Sequence, residues 1–190
     1  MTYNYSKIEP IFKYYINNGF SHSLQKIADA VQVTKKTLFN RYLSKGNLEL
    51  CVVDYWQKKS NERMVQRMEF ANNAVEKLMI FLFELQYCKN NEFYFFQKAK
   101  EFFLEKFVLN GPHLIQLETI LKIGKDEKLF RFDLEPKVFG YFFQFNTLFL
   151  LLNDNFINTE FVFFLFEPIL TEEGKVVFKD IDIEQIFKNS

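Results

Sequence analysis

Apolar residues fall at helical spacing from the start of the chain. Ile8, Ile11, Phe12, Tyr15 and Ile16 recur at intervals of three and four, the mark of one buried stripe on an amphipathic helix. Asn17-Asn18-Gly19 closes that helix, because Asn and Gly accept the left-handed backbone of a helix end. Leu24, Ile27, Ala28 and Val31 make a second stripe, with Ser21 or Ser23 as its cap. Gln32-Val33 interrupts the pattern. Thr34 then caps a third helix, Lys35–Tyr42, whose bulky groups are Leu38, Phe39 and Tyr42. Ser44 caps a fourth that begins near Asn47 and carries Leu48, Val52, Tyr55 and Trp56.

The pattern stays helical almost to the end. The fourth helix runs into a polar stretch, KKSNERMVQRMEFANN, that reads as a solvated connector between a head and a body. Further helices are predicted over residues 74–88, 92–108, 113–122, 136–152 and 160–166. Breaks are predicted at 89–91, 110–112, 124–133 and 153–159. Asp133-Leu134-Glu135-Pro136 reads as a helix start, with Asp as cap and Pro in the first turn. The tail is ambiguous: Lys175–Phe178 suits a short strand, and Ile181–Phe187 a last helical turn or two. The expected fold is all-α, with a three-helix helix-turn-helix head over residues 1–46. A larger helical domain for ligand binding and dimerisation follows over 47–190.

Composition sharpens this picture in two places. The chain holds 26 Phe and 9 Tyr against 6 Gly and 4 Pro. That balance favours long helices around an aromatic core, although an AT-rich genome would enrich Phe and Tyr without any functional cause. Net charge is zero but unevenly spread. Residues 1–59 hold nine basic and four acidic side chains, 9 − 4 = +5, and the rest hold 15 − 20 = −5. A basic head on an acidic body suits a polyanion partner.

Other signals exclude function classes. Cys51 and Cys88 are too few for a disulfide framework and fit a reducing cytoplasmic setting. The start of the chain lacks the pattern of a signal peptide. The longest uncharged stretch, Val138–Asn153, is short for a membrane span and holds Gln144, Asn146 and Thr147, so no membrane association is expected. His22 and His113 are the only histidines, and neither sits at metal-ligand spacing. There is no G-x-S-x-G and no Gly-rich phosphate loop. Glu172, Glu173, Asp180, Asp182 and Glu184 read as solvated faces. No catalytic residue, metal site or cofactor is expected.

Two short helices joined by a tight turn, with polar residues opening the second, form a helix-turn-helix pattern. The second helix of such a unit enters the major groove with its N-terminal residues at the base edges. Here those residues are Thr34, Lys35, Lys36 and Thr37, with Arg41 and Lys45 spaced to flank the groove at phosphates.

The stretch Gly19–Leu50, GFSHSLQKIADAVQVTKKTLFNRYLSKGNLEL, resembles the N-terminal signature of TetR-family regulators. That pattern runs G-F, T-S-L-x-x-I-A, A-G-V-S-x-x-T-L-Y-x-H-F, S-K-x-x-L. Ser23-Leu24 and Ile27-Ala28 match its second helix, and Val33-Thr34 match the V-S before the third. Thr37-Leu38-Phe39 stand where T-L-Y stands, Asn40-Arg41-Tyr42 replace x-H-F, and Ser44-Lys45 with Leu48 match the close. The resemblance covers about residues 7–56. It implies that Thr34–Thr37 read bases, that Phe39, Arg41 and Lys45 occupy phosphate-contact positions, and that Ser23, Gln25 and Asn40 complete the interface. The sequence departs from the pattern in four ways. The Gly19-to-Ile27 interval is one residue short, and Gln32 replaces the turn Gly at a cost of about 1 kcal/mol if φ is positive there. Phe39 lacks the Tyr hydroxyl. Arg41 replaces His with a permanent, bidentate charge.

The resemblance implies a helical body that binds a small ligand and dimerises. VFGYFFQFNTLFLLL, residues 138–152, is apolar on nearly every side and must be covered all round. A homodimer through residues 136–152 and 160–170 is expected. An apolar pocket lined by Phe83, Tyr87, Phe103, Leu117 and Phe145 is expected with it, all facing inward, with Gln116 and Gln144 as polar contacts and no Lys or Arg cluster among them. The implied function is a transcriptional regulator, a repressor, bound to a palindromic duplex and released by a small apolar ligand. The alternative is a helical, dimeric interaction protein whose degenerate head no longer binds DNA.

Overall fold

In the computed structural model, residues 7–95, 98, 112–131, 133, 135, 137–139 and 166–182 are described. Their elements are α1 (Glu9–Asn18), α2 (Leu24–Ala30), α3 (Lys35–Tyr42), α4 (Lys45–Met68), α5 (Ala74–Asn91), α6 (Pro112–Asp126) and α7 (Glu172–Asp180). Among the described residues the sole strand-like pairing is an antiparallel bridge between Phe130 and Leu170. The architecture is all-α, and no described helix is long and apolar enough to cross a membrane.

Local chemistry sets the head. Gly19 ends α1 at φ 67°, its N–H bonded to the Tyr15 carbonyl. The same glycine lets the Tyr94 ring lie against the backbone, since a Cβ there would meet it at 3.0 Å. Of the two serines open as caps for α2, Ser23 takes the role by accepting from the Lys26 amide. Thr34 caps α3 and Ser44 caps α4 in the same way, through the amides of Thr37 and Asn47. Ile11, Tyr15, Ile27, Leu38, Tyr42 and Leu48 form the core that these three helices share with the start of α4.

α4 departs from its sequence reading. It does not give way to a solvated connector but runs unbroken through Lys58 to Met68. Ser60 and Met64 on that stretch are fully buried. Ser60, Arg63 and Arg67 there face α5, for a reason given below. α5 likewise passes through the predicted break at 89–91 and ends at Asn91, with Glu92 beyond it.

α6 continues two residues past Gly124, which had marked a break. The glycine serves contact, not termination: a Cβ there would meet the Phe130 ring at 2.0 Å. Its carbonyl accepts from the amides of Leu129 and Phe130, and Lys128 takes the left-handed turn at φ 60°. The tail reading is also corrected. Lys175–Phe178 is helical, because Thr171 caps α7 through the Gly174 amide and Glu172 and Glu173 favour the positive end. Ile181 ends that helix in extended backbone. The body core holds Leu78, Phe81, Leu117, Ile120, Phe130 and Phe166. Residues 99–111, 140–165 and 183–190 lie outside the described residues, and with them most of the helices predicted over 92–108, 136–152 and 160–166.

Candidate nucleic-acid interface

The turn between α2 and α3 is short and closed by backbone bonds. Val33 N–H bonds the Ala28 carbonyl at 3.0 Å, and Gln32 N–H bonds Asp29 at 3.2 Å. Gln32 sits at φ 57°, so the turn keeps the left-handed geometry that glycine supplies more cheaply. Leu38 and Tyr42 turn into the head. With about 3.6 residues per turn, Lys36 and Asn40 then project opposite them. Lys35 and Phe39 flank that line on one side, Thr37 and Arg41 on the other. All six are exposed. No acidic residue lies on α3, so its positive N-terminal dipole end and Lys35 and Lys36 add together.

The other sequence-named residues are placed differently. Thr34 and Thr37 share a hydroxyl bond of 2.8 Å, and the Thr34 oxygen also accepts the Thr37 amide at 3.0 Å. Thr34 therefore works first as a cap. Ser23 caps α2, and Gln25 on that helix reaches Asp29 at 2.7 Å while remaining exposed. The Arg41 guanidinium lies 6.0 Å from the Tyr42 ring centre. Lys45 turns inward: its ammonium donates to the Phe20 carbonyl at 2.7 Å and pairs with Glu49 at 3.2 Å. Buried Glu49 is also held by Lys98 at 3.0 Å.

An aromatic ring helps join the head to the body. Phe95, fully buried beyond α5, has its centre 5.0 Å from Phe12, 5.1 Å from Phe20 and 5.9 Å from Trp56. Tyr15 stacks on Phe20 at 4.3 Å.

In the body, sequence reasoning missed a buried polar network. Arg63 pairs with Glu84 at 2.7 Å and Glu92 at 3.0 Å, and Arg67 pairs with Glu84 at 3.0 Å. Ser60 lies 3.0 Å from Glu84, 3.3 Å from the Cys88 sulfur and 3.2 Å from His113 Nε2. Trp56 donates to Glu92 at 2.6 Å. Burial, helped by Arg63, pushes the His113 pKa down to about 4, so the ring is neutral at pH 7. Burial, with Glu84 and Glu92 nearby, pushes the Cys88 thiol up, which keeps it protonated. The signal lay in the spacing of Trp56, Ser60, Arg63 and Arg67, one polar stripe at helical intervals opposite Glu84 and Cys88 on α5 and Glu92 just beyond it.

Of the expected pocket residues, Phe83 and Leu117 are buried and Gln116 is half-buried. Tyr87 does not face fully inward: it is 38% exposed. Contrary to the expected absence of cations, Arg63 and Arg67 lie 5.0 and 5.4 Å from its ring centre. Phe103, Gln144 and Phe145 lie outside the described residues.

No protein-family model matches the chain, and no curated protein matches it. Solved structures do. A TetR-family transcriptional regulator from Agrobacterium tumefaciens aligns with a TM-score of 0.61 at 14% identity, over 88% of this chain and 99% of that one. A gamma-butyrolactone receptor, an ArpA-like protein, aligns at 0.64 and 13%, over 98% and 96%. AibR, in complex with isovaleryl coenzyme A and operator DNA, aligns at 0.54 and 17%, over 86% and 96%. Identities this low speak for architecture, and the helical order, the capped α2–α3 unit and these alignments agree: the chain has the fold of the TetR-family regulators.

Proposed function

We propose that this chain is a DNA-binding transcriptional regulator, a repressor that grips a palindromic operator as a homodimer and lets go when a small apolar ligand binds its body. The observation that carries this reading is the open face of α3, where Lys35, Lys36, Thr37, Asn40 and Arg41 are all exposed on a capped helix with no acidic residue. Short polar and cationic side chains at a helix N-terminus match base edges and phosphates together. The reading of a degenerate head is not favoured, because both caps and the left-handed turn are intact.

The dimer is proposed through residues 136–152 and 160–170, and Val138, 66% exposed in the protomer, supports a covered face there. Two heads would sit about 34–36 Å apart or a small multiple of that. Among the neighbours, AibR has been captured with both a ligand and operator DNA, which supports the same pairing of partners here. The experiment is selection of bound fragments from random duplex DNA at low salt. Enrichment of a palindrome supports the reading, and recovery of no preferred sequence ends it. A monomer by light scattering at micromolar concentration ends the dimer.

A further inference from the structure

The geometry points to Phe39 as a base-reading residue that recognises the 5-methyl group of thymine in the major groove. This deepens the DNA-binding reading above and rests on it. The Phe39 side chain is 52% exposed on α3. Its ring lies on the same side of the helix as Lys35 and next to the line of Lys36 and Asn40. A ring left half in water forgoes roughly 25 cal/mol for each Å² that a partner would cover.

The surroundings say what covers it. Lys35, Lys36 and Asn40 are exposed beside the ring, Arg41 is exposed on the far flank, and α3 carries no carboxylate. An apolar protein surface placed on Phe39 would desolvate these cations without pairing them. A nucleic-acid duplex pairs them with phosphates and brings base edges to the ring. Among the groups displayed in the major groove, the apolar one is the thymine methyl. Phe39 has no hydroxyl with which to bond a phosphate, so the ring itself is what it offers. It is the fifth residue of an eight-residue helix whose first turn leads into the groove. Arg41, two residues on, projects from the opposite flank, where a phosphate contact leaves the ring free for the base.

The test starts from the duplex recovered by selection. Each thymine is replaced singly by deoxyuridine, which removes the methyl and keeps the base pair. At one thymine in each half-site, wild-type affinity falls about fourfold, the value of one buried methyl, and where a C·G pair is placed at that position 5-methylcytosine is bound more tightly than cytosine. Phe39→Ala binds more weakly overall and no longer distinguishes thymine from uracil there. Leu43→Ala, which removes the exposed apolar group one turn further on, keeps the wild-type discrimination. Unchanged melting temperatures show that the variants fold. Wild-type binding indifferent to every uracil, or discrimination that persists in Phe39→Ala, overturns the inference alone. Failure to recover any preferred duplex overturns the DNA-binding reading and the inference with it.

Discussion

Gln32 holds a conformation that a free residue disfavours, and His113 stays neutral to a pH well below that at which a free imidazole takes its proton. Gln32 occupies left-handed backbone at φ 57°, at a cost of about 1 kcal/mol that the turn bonds around it offset. That cost was legible in the sequence, because the residue stands where the resembling pattern has glycine. The state of His113 was not legible: it read as an isolated histidine, and only the fold places Ser60 and Arg63 beside it. Its folded pKa, about 4, lies below the ordinary imidazole value of 6.5. The unfolded chain therefore binds the proton first, and stability falls as pH drops below about 6.5. Between pH 7 and pH 5 this group removes about 2 kcal/mol. Urea denaturation at the two pH values checks it: His113→Gln, which keeps a hydrogen-bonding side chain, shows a smaller drop than wild type by about that amount.

The starts of α2, α3, α4 and α5 were readable because each cap is a local event, whereas the start of α7 behind Thr171 was not. Ser23, Thr34, Ser44 and Asn73 each accept an amide three residues on, so sequence alone holds both partners. The second half of α4 was not readable in the same way. Arg63 and Arg67 look solvated until Glu84 and Glu92, far along the chain, are brought opposite them. Gly124 misled for a related reason, since its purpose is the close approach of Phe130 from a later segment. The ion network has a measurable weight. Glu84 is fully buried and balances two guanidinium groups. Glu84→Ala leaves Arg63 with Glu92 and takes from Arg67 the carboxylate it pairs with, and lowers stability by about 3–5 kcal/mol, read from the shift of the denaturant midpoint at constant slope.

At the scale of the whole molecule, the cations of the head divide into two groups. Arg41 projects from the open face, whereas Lys45 is held by Phe20 and Glu49 inside the joint between head and body. Sequence spacing assigned both to phosphates because it saw the interval and not the direction. Arg41→Ala is expected to weaken binding to all duplexes alike and to reduce the slope of log affinity against log salt by about one per protomer. Lys45→Ala is expected to change that slope less and to lower the melting temperature, because among the described residues Glu49 then keeps Lys98 alone as an ion-pair partner. Salt titration of DNA binding beside a thermal melt separates the two outcomes. Equal slope changes in both variants would return Lys45 to the phosphates.

The Phe95 ring touches Phe12 and Phe20 from the head and Trp56 from the middle of α4, and it is fully buried between them. Its consequence concerns modularity. A fragment ending at residue 46 would keep the recognition face yet strip Phe12 and Phe20 of the rings of Tyr55 and Phe95 that cover them. Head and body are thus expected to unfold as one cooperative unit, so grafting the head alone onto another protein would transplant a surface without its foundation. Calorimetry of the full chain should give a single transition, and residues 1–46 alone should give none. A separate low-temperature transition for the head would show that the two melt independently.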